Sequence, residues 1–172
     1  MNRLIGIITF RAPVYREVAH DPAALTPAAI VVVVVTIVTA LLSSALGTNP
    51  LGLAATVATS LTSVLINWLL ASALTAFVAN QFFRGQSSTA ELLRIFGYTF
   101  AFQLLVIIPS VGALAAAILA IIATVLAIRE SAGFDTQKAV LTAIISGVVL
   151  FVLGLVVASV VGSVFGAALL GG

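Results

Sequence analysis

LTPAAIVVVVVTIVTALLSSALGTNPLG, residues 25–52, is an apolar run that closes in turn chemistry. No charged residue occurs between Asp21 and Arg84. That interval is far too long for one bilayer crossing, which takes about 20 residues of helix. Gly47-Thr48-Asn49-Pro50-Leu51-Gly52 interrupts it, and Gly, Asn and Pro together favour a reversal over a helix interior. The interval therefore reads as two spans, residues 27–46 and a longer, tilted or protruding one at 53–83. Thr26 is placed to cap the first, with Pro27 at its first helical position, where a missing N–H costs little.

The same logic divides the uncharged stretch between Arg94 and Arg129. Pro109-Ser110-Val111-Gly112 splits it, because Pro109 lacks a donor and Gly112 permits a reversal. The pieces are spans at 91–108 and 111–128. One unbroken helix would run on the order of 50 Å, against a hydrocarbon core of about 30 Å. A fifth span covers 139–165. Helix ends are legible on the polar linkers. Ser88-Thr89-Ala90-Glu91 fits a capping box, Gly133 a C-cap, and Asp135 an N-cap for the last span. The expected fold is all-α, a polytopic membrane protein of five helices. Residues 1–26 form a short amphipathic segment ahead of a membrane domain at 27–172.

Composition agrees. Of 172 residues, 62% are hydrophobic and 7% charged, where a soluble domain carries roughly 25% charged. These values exclude a soluble enzyme, a disordered tail and a nucleic-acid binder with a basic face. The net charge of +2 reflects few charges and implies no polyanionic partner. There is no Cys, so neither disulfides nor thiolate metal sites arise. The first apolar run is preceded by Glu17 and Asp21, unlike a signal peptide's short basic region, and is expected to remain.

Charge placement supplies an orientation. All seven basic residues lie in the N-terminal segment (Arg3, Arg11, Arg16), the linker after span two (Arg84, Arg94) and the linker after span four (Arg129, Lys138). Five crossings put these on one side. The positive-inside rule makes that side cytoplasmic, with the N-terminus inside and the C-terminus outside. Residues 4–19 are too short and too charged to span. They fit either an amphipathic piece on the cytoplasmic leaflet or a helix packed on the bundle's own end.

The span interiors hold no charge, which argues against proton relays and many ion-coupled carriers. His20 is the sole imidazole and lies in the tail. No Walker loop, H-E-x-x-H or G-x-S-x-G is present. No catalytic, metal or cofactor residues are expected. Two amides, Asn67 and Gln103, fall within spans and serve either as a polar lining or as interhelical glue. Trp68 beside Asn67 is unusual at mid-span. Gly154, Ala158, Gly162 and Gly166 form a small-residue ridge, suited to a homo-oligomer contact or to packing within one chain. Gly112, Ala116, Ala120 and Thr124 form a second.

The order of local motifs is familiar. Arg11-Ala12-Pro13, Tyr15-Arg16-Glu17-Val18 and Asp21-Pro22 precede the first span. Gly85, Ser87-Ser88, Glu91 to Arg94 and Gly97-Tyr98 follow the second. Pro109, Gly112, Ile128-Arg129-Glu130, Phe134 and Lys138-Ala139 complete the series. This resembles the Yip-domain family, the Ypt/Rab-interacting membrane proteins, and especially its short prokaryote-type members. Family members often carry a proline soon after the Gly-Tyr pair, and Thr99-Phe100-Ala101-Phe102 carries none. The resemblance implies a five-span bundle with a cytosolic N-terminus in a prokaryotic cell membrane. Eukaryotic members are associated with Rab-type GTPases and vesicle traffic. With about 26 residues ahead of the membrane, GTPase binding is not carried over to this chain.

Two functional expectations follow. The first is a non-enzymatic membrane organiser or adaptor whose partners are the bilayer and a cytoplasmic protein. Its candidate surface is Arg11, Arg16, Glu17, Arg84, Glu91, Arg94, Arg129, Glu130, Asp135 and Lys138. The alternative for these charges is that they anchor topology and pair with one another. The second is a small transporter or lipid-handling protein using Asn67 and Gln103 as a polar path. A cavity lined by those amides would favour it, and amides buried between tightly packed helices would favour the adaptor.

Overall fold

A computed structural model describes residues 2–47 and 52–170, with only the backbone given for Asn2 and for 157–170. The expected turn at 48–51, Gly171-Gly172 and the ridge positions Ala158, Gly162 and Gly166 lie outside what is described. Seven α-helices occur among the described residues: α1 (Asn2–Ile8), α2 (Ala12–His20), α3 (Leu25–Ala45), α4 (Leu53–Phe83), α5 (Thr89–Thr99), α6 (Gly112–Ala132) and α7 (Thr136–Leu170). Two 3-10 segments join them, Pro22–Ala24 and Phe100–Ile107. Five stretches are long and apolar enough to cross a membrane: Pro22–Ala45, Leu53–Phe83, Thr89–Ile107, Gly112–Ala132 and Thr136–Val156. The protein is an all-α, multi-pass helix bundle. Large side chains such as Ile30, Leu69, Ile121 and Phe151 point outward, as they do when lipid is the solvent.

The first span starts earlier than Thr26-Pro27 suggests. The Asp21 side chain accepts from the Ala23 amide at 2.9 Å, and Pro22 opens the 3-10 turn that runs into α3. Asp-Pro is the stronger start because its carboxylate caps amides that Thr26 would leave unmet. Pro27 is then the third residue of α3, still within the turn whose N–H groups lack helical partners.

The third span is α-helical only to Thr99 and continues as eight residues of 3-10 helix. Nineteen α-helical residues would reach about 28 Å. Eleven α and eight 3-10 residues reach about 32 Å, so either winding crosses a core of about 30 Å. The reversal into α6 also differs from expectation. Ser110, not Gly112, takes the left-handed conformation, with φ of 69°. Gly112 is needed for proximity instead, since a Cβ there would lie 1.9 Å from the Leu105 carbonyl oxygen. Its ridge of Ala116, Ala120 and Thr124 starts against this 3-10 segment.

The expected caps are in place. Ser88 Oγ accepts from the Glu91 amide at 3.2 Å and Glu91 accepts from the Ser88 amide at 2.9 Å. Asp135 accepts from the Lys138 amide at 2.8 Å, and Gly133 closes α6 with φ of 67°.

Helices α1 and α2 form a hairpin against α5 and α6. Ile7, Tyr15, Val18 and Ala19 are buried with Ala24, Ala28, Ile95, Tyr98 and Ala127. At its turn Phe10 stacks on Phe102, ring centres 5.5 Å apart. Tyr15 Oη donates to the Ile7 carbonyl at 3.0 Å in this core. Burial raises the Tyr15 pKa above its ordinary value. The neutral phenol is thus favoured in the fold, so its contribution is complete below an unfolded pKa of about 10 and fades as pH rises above it. Tyr15→Phe is expected to cost about 1 kcal/mol of hairpin docking at pH 8. Tryptic cleavage in the tail, measured at pH 8 and above pH 10, should rise with alkali in the wild type and much less in the variant. Equal alkaline sensitivity of the two would remove Tyr15 from this role.

Candidate functional site

Alternating helix directions gather the charged residues at one end of the bundle. Most are committed there. Arg3 Nε bonds Glu17 at 2.9 Å and Arg3 Nη2 bonds Asp21 at 2.7 Å. The amide of Ala23 and the Arg3 guanidinium together hold the Asp21 carboxyl below its usual range. Glu130, whose side chain is only 7% exposed, pairs with Arg16 and with Arg129, each at 2.8 Å. Arg94 Nη1 donates to the Ala19 carbonyl, which ties α5 to the end of α2. Glu91 and Asp135 are spent as caps. Of the ten charged positions expected to face a partner, Arg11, Arg84 and Lys138 are exposed without an ion pair among the described residues. Arg84 closes α4 with φ of 56°.

The second feature is a lateral cleft of about 1000 Å³ between α4, α5 with its 3-10 extension, α6 and α7. It brings together the two span amides, Asn67 from α4 and Gln103 from the 3-10 segment. Both are exposed to it rather than packed between helices. Among the described residues neither amide side chain has a protein hydrogen-bond partner. Ser146, on α7, joins them. It is 3% exposed, and its hydroxyl is buried without a partner. By contrast Thr99 and Thr124, also on the lining, donate to carbonyls of their own helices, Phe96 and Ala120. The remaining lining is mostly apolar, and among the described residues no charged side chain contributes to it.

Local sequence explains the cleft's walls. Trp68 turns inward, and its Nε1 donates to the Leu93 carbonyl at 3.0 Å. That bond fastens α4 to α5 and satisfies a donor that would otherwise be unmet in hydrocarbon. Gly97 lets α5 approach α3, because a Cβ there would sit 2.7 Å from that of Ala28. With α3, α4 and α5 drawn tightly together, the loose side of the bundle is the one facing α7. Along α7 the lining runs from Val140 to Leu150, about 15 Å, or half a hydrocarbon core. Ser146 carried no signal of its own in the sequence. A lone helical serine is ordinarily bonded to its own backbone.

Among the described residues no group of three or more His, Asp or Glu side chains is disposed to hold a metal. Of the ridge on the last span, Gly154 is exposed, with open space where a Cβ would stand. No curated protein and no solved structure matches the chain significantly. A family model described as the Yip1 domain matches residues 5–170, nearly the whole length that carries the tail hairpin and the five spans, and the chain belongs to that family.

Proposed function

We propose that this chain is a non-enzymatic membrane organiser that acts by engaging bilayer lipid through its lateral cleft. One observation carries the reading. Two amides from different helices of the candidate spans line one mostly apolar cleft, and neither has a hydrogen-bond partner among the described residues. Amides kept only to glue helices would bond across a tight interface. Amides facing a lipid-sized opening are suited to hold something that enters from the bilayer.

Gly147 offers the test. It lines the cleft and has nothing within 4 Å of its Cβ position, so Gly147→Leu fills the opening without straining the bundle. After gentle detergent extraction, native mass spectrometry should find lipid retained on the wild type and most of it lost from Gly147→Leu. Equal retention by two equally folded proteins would sink the proposal.

A second reading has its own support. Arg11, Arg84 and Lys138 stand unpaired at the charged end, which the positive-inside rule assigns to the cytoplasm. They suit an acidic partner or anionic head groups, as an adaptor presenting loops would require. Site-specific photo-crosslinking from Arg84 and Lys138 in cells reports on it. Crosslinks to lipid alone would discard a protein partner.

A further inference from the structure

We infer that the cleft selects an uncharged, hydroxyl-bearing lipid, of which a diacylglycerol is the working example. The inference rests on the lipid-engaging reading above and adds the ligand's chemistry.

Three observations lead to it. First, the lining polar groups without a hydrogen bond among the described residues are the amides of Asn67 and Gln103 and the hydroxyls of Ser63, Thr75 and Ser146, the last of them buried. Each amide offers both donors and an acceptor, and each hydroxyl one donor with acceptor capacity. A ligand hydroxyl, which also donates and accepts, suits such groups, whereas a ketone, ester or ether can only accept. Second, among the described residues no charged side chain lines the cleft. A phosphate or ammonium brought to Asn67 and Gln103 would lose its water and find no counter-charge, which a low-dielectric site strongly penalises. Third, Asn67 lies near the middle of α4, fourteen residues from Leu53 and sixteen from Phe83. Gln103 is four residues from Ile107, where the 3-10 segment ends. A phospholipid with its head group at the interface would lay only chain against Asn67 and leave it unmet. The polar part of the ligand must itself enter the cleft, which a small neutral head can do.

Trp68, the single tryptophan, lines the same cleft and serves as a built-in reporter. The protein is placed in nanodiscs of unbrominated phosphatidylcholine. Small fractions of one brominated lipid are then added: diacylglycerol, phosphatidylcholine with the same chains, or triacylglycerol, which lacks the hydroxyl. Bromine quenches tryptophan on contact. Brominated diacylglycerol should quench Trp68 saturably at low mole fraction, and unbrominated diacylglycerol should reverse it. The other two should give only the shallow, unsaturable quenching of bulk lipid. The double variant Asn67→Leu with Gln103→Leu, both apolar and suited to a membrane helix, should weaken the diacylglycerol response about 10-fold. Ser146→Ala should weaken it less.

Saturable quenching by phosphatidylcholine equal to that by diacylglycerol would overturn the selectivity inferred here and leave the lipid-engaging reading standing. Equal response to triacylglycerol would remove the hydroxyl from recognition. Diacylglycerol binding unchanged in the double variant would remove the amides. Absence of saturable quenching by all three lipids would overturn this inference and the proposed function together.

Discussion

Gly112→Ala is expected to destabilise the bundle by more than about 2 kcal/mol, against the usual sign of such a change. Alanine normally improves a helix over glycine by about 1 kcal/mol. Here the added Cβ would stand 1.9 Å from the Leu105 carbonyl oxygen and 2.9 Å from its carbon. Both are backbone atoms, so no rotamer change can relieve the overlap. Either α6 withdraws from the 3-10 segment, or the reversal at Ile108–Val111 opens. The amide of Gly112 already donates to the Ile108 carbonyl at 3.0 Å, and that of Ile108 to Leu105 at 2.9 Å, so the reversal has little slack. Gly154→Ala is the matched control. That glycine lies in α7 with open space around its Cβ position, and its replacement should gain about 0.5–1 kcal/mol. Thermal midpoints in one detergent, read by size-exclusion after heating, should fall for the first variant and hold or rise for the second. A Gly112→Ala midpoint at or above wild type would show that the close approach carries no constraint.

Glu130→Lys is expected to free the tail hairpin from the bundle. The Glu130 carboxylate is nearly buried between two guanidiniums, accepting from Arg129 Nε at 3.0 Å and Nη2 at 2.8 Å, and from Arg16 Nη2 at 2.8 Å. Lysine would leave three cations where one anion held two together. Arg16 is 69% exposed and can regain water, so its pairing is worth less than a fully buried ion pair. A loss of about 2 kcal/mol of docking is the expected scale, between exposed and buried pairs. That corresponds to about 30-fold more of the undocked state. Trypsin cleavage at Arg11 and Arg16 should accelerate by about 10- to 30-fold, and by less in Glu130→Gln, which keeps the shape and loses the charge. The five spans should remain resistant. Unchanged cleavage in Glu130→Lys would mean that the apolar contacts of Ile7, Tyr15 and Val18 hold the hairpin alone.

The five crossings were legible because lipid imposes a long, uncharged signature and the linkers carry turn and cap residues at fixed offsets. Ser88 with Glu91, Gly133 and Asp135 act locally, within four residues of their partners, so local sequence suffices to place them. The features that were not legible depend on distant partners. Thr26-Pro27 looked like a helix start until Asp21-Pro22, five residues earlier, proved the better cap. Residues 100–107 have the composition of an α-helix, and only the closeness of α6 accounts for their tighter winding. The tail's packing on the bundle rests on Ile7, Tyr15 and Val18, whose periodicity is too brief to reveal where their apolar face goes. The amides were visible as candidates. That Asn67 and Gln103 share one cleft with Ser146 follows from how α4, α5 and α7 cross, which no window of sequence records.

Phe102 and Gln103 are consecutive residues with different neighbours. The first is stacked on Phe10 at the turn of the tail hairpin, and the second lines the cleft. Both belong to the 3-10 segment, whose hydrogen bonds are poorer than those of an α-helix. The third crossing therefore has a rigid half, α5, and a compliant half, and the compliant half connects two otherwise separate places. Undocking the tail removes a ring from one face of that joint while Gln103 sits on the adjoining position. The tail hairpin and the cleft thus share a wall only one residue thick, on the third crossing.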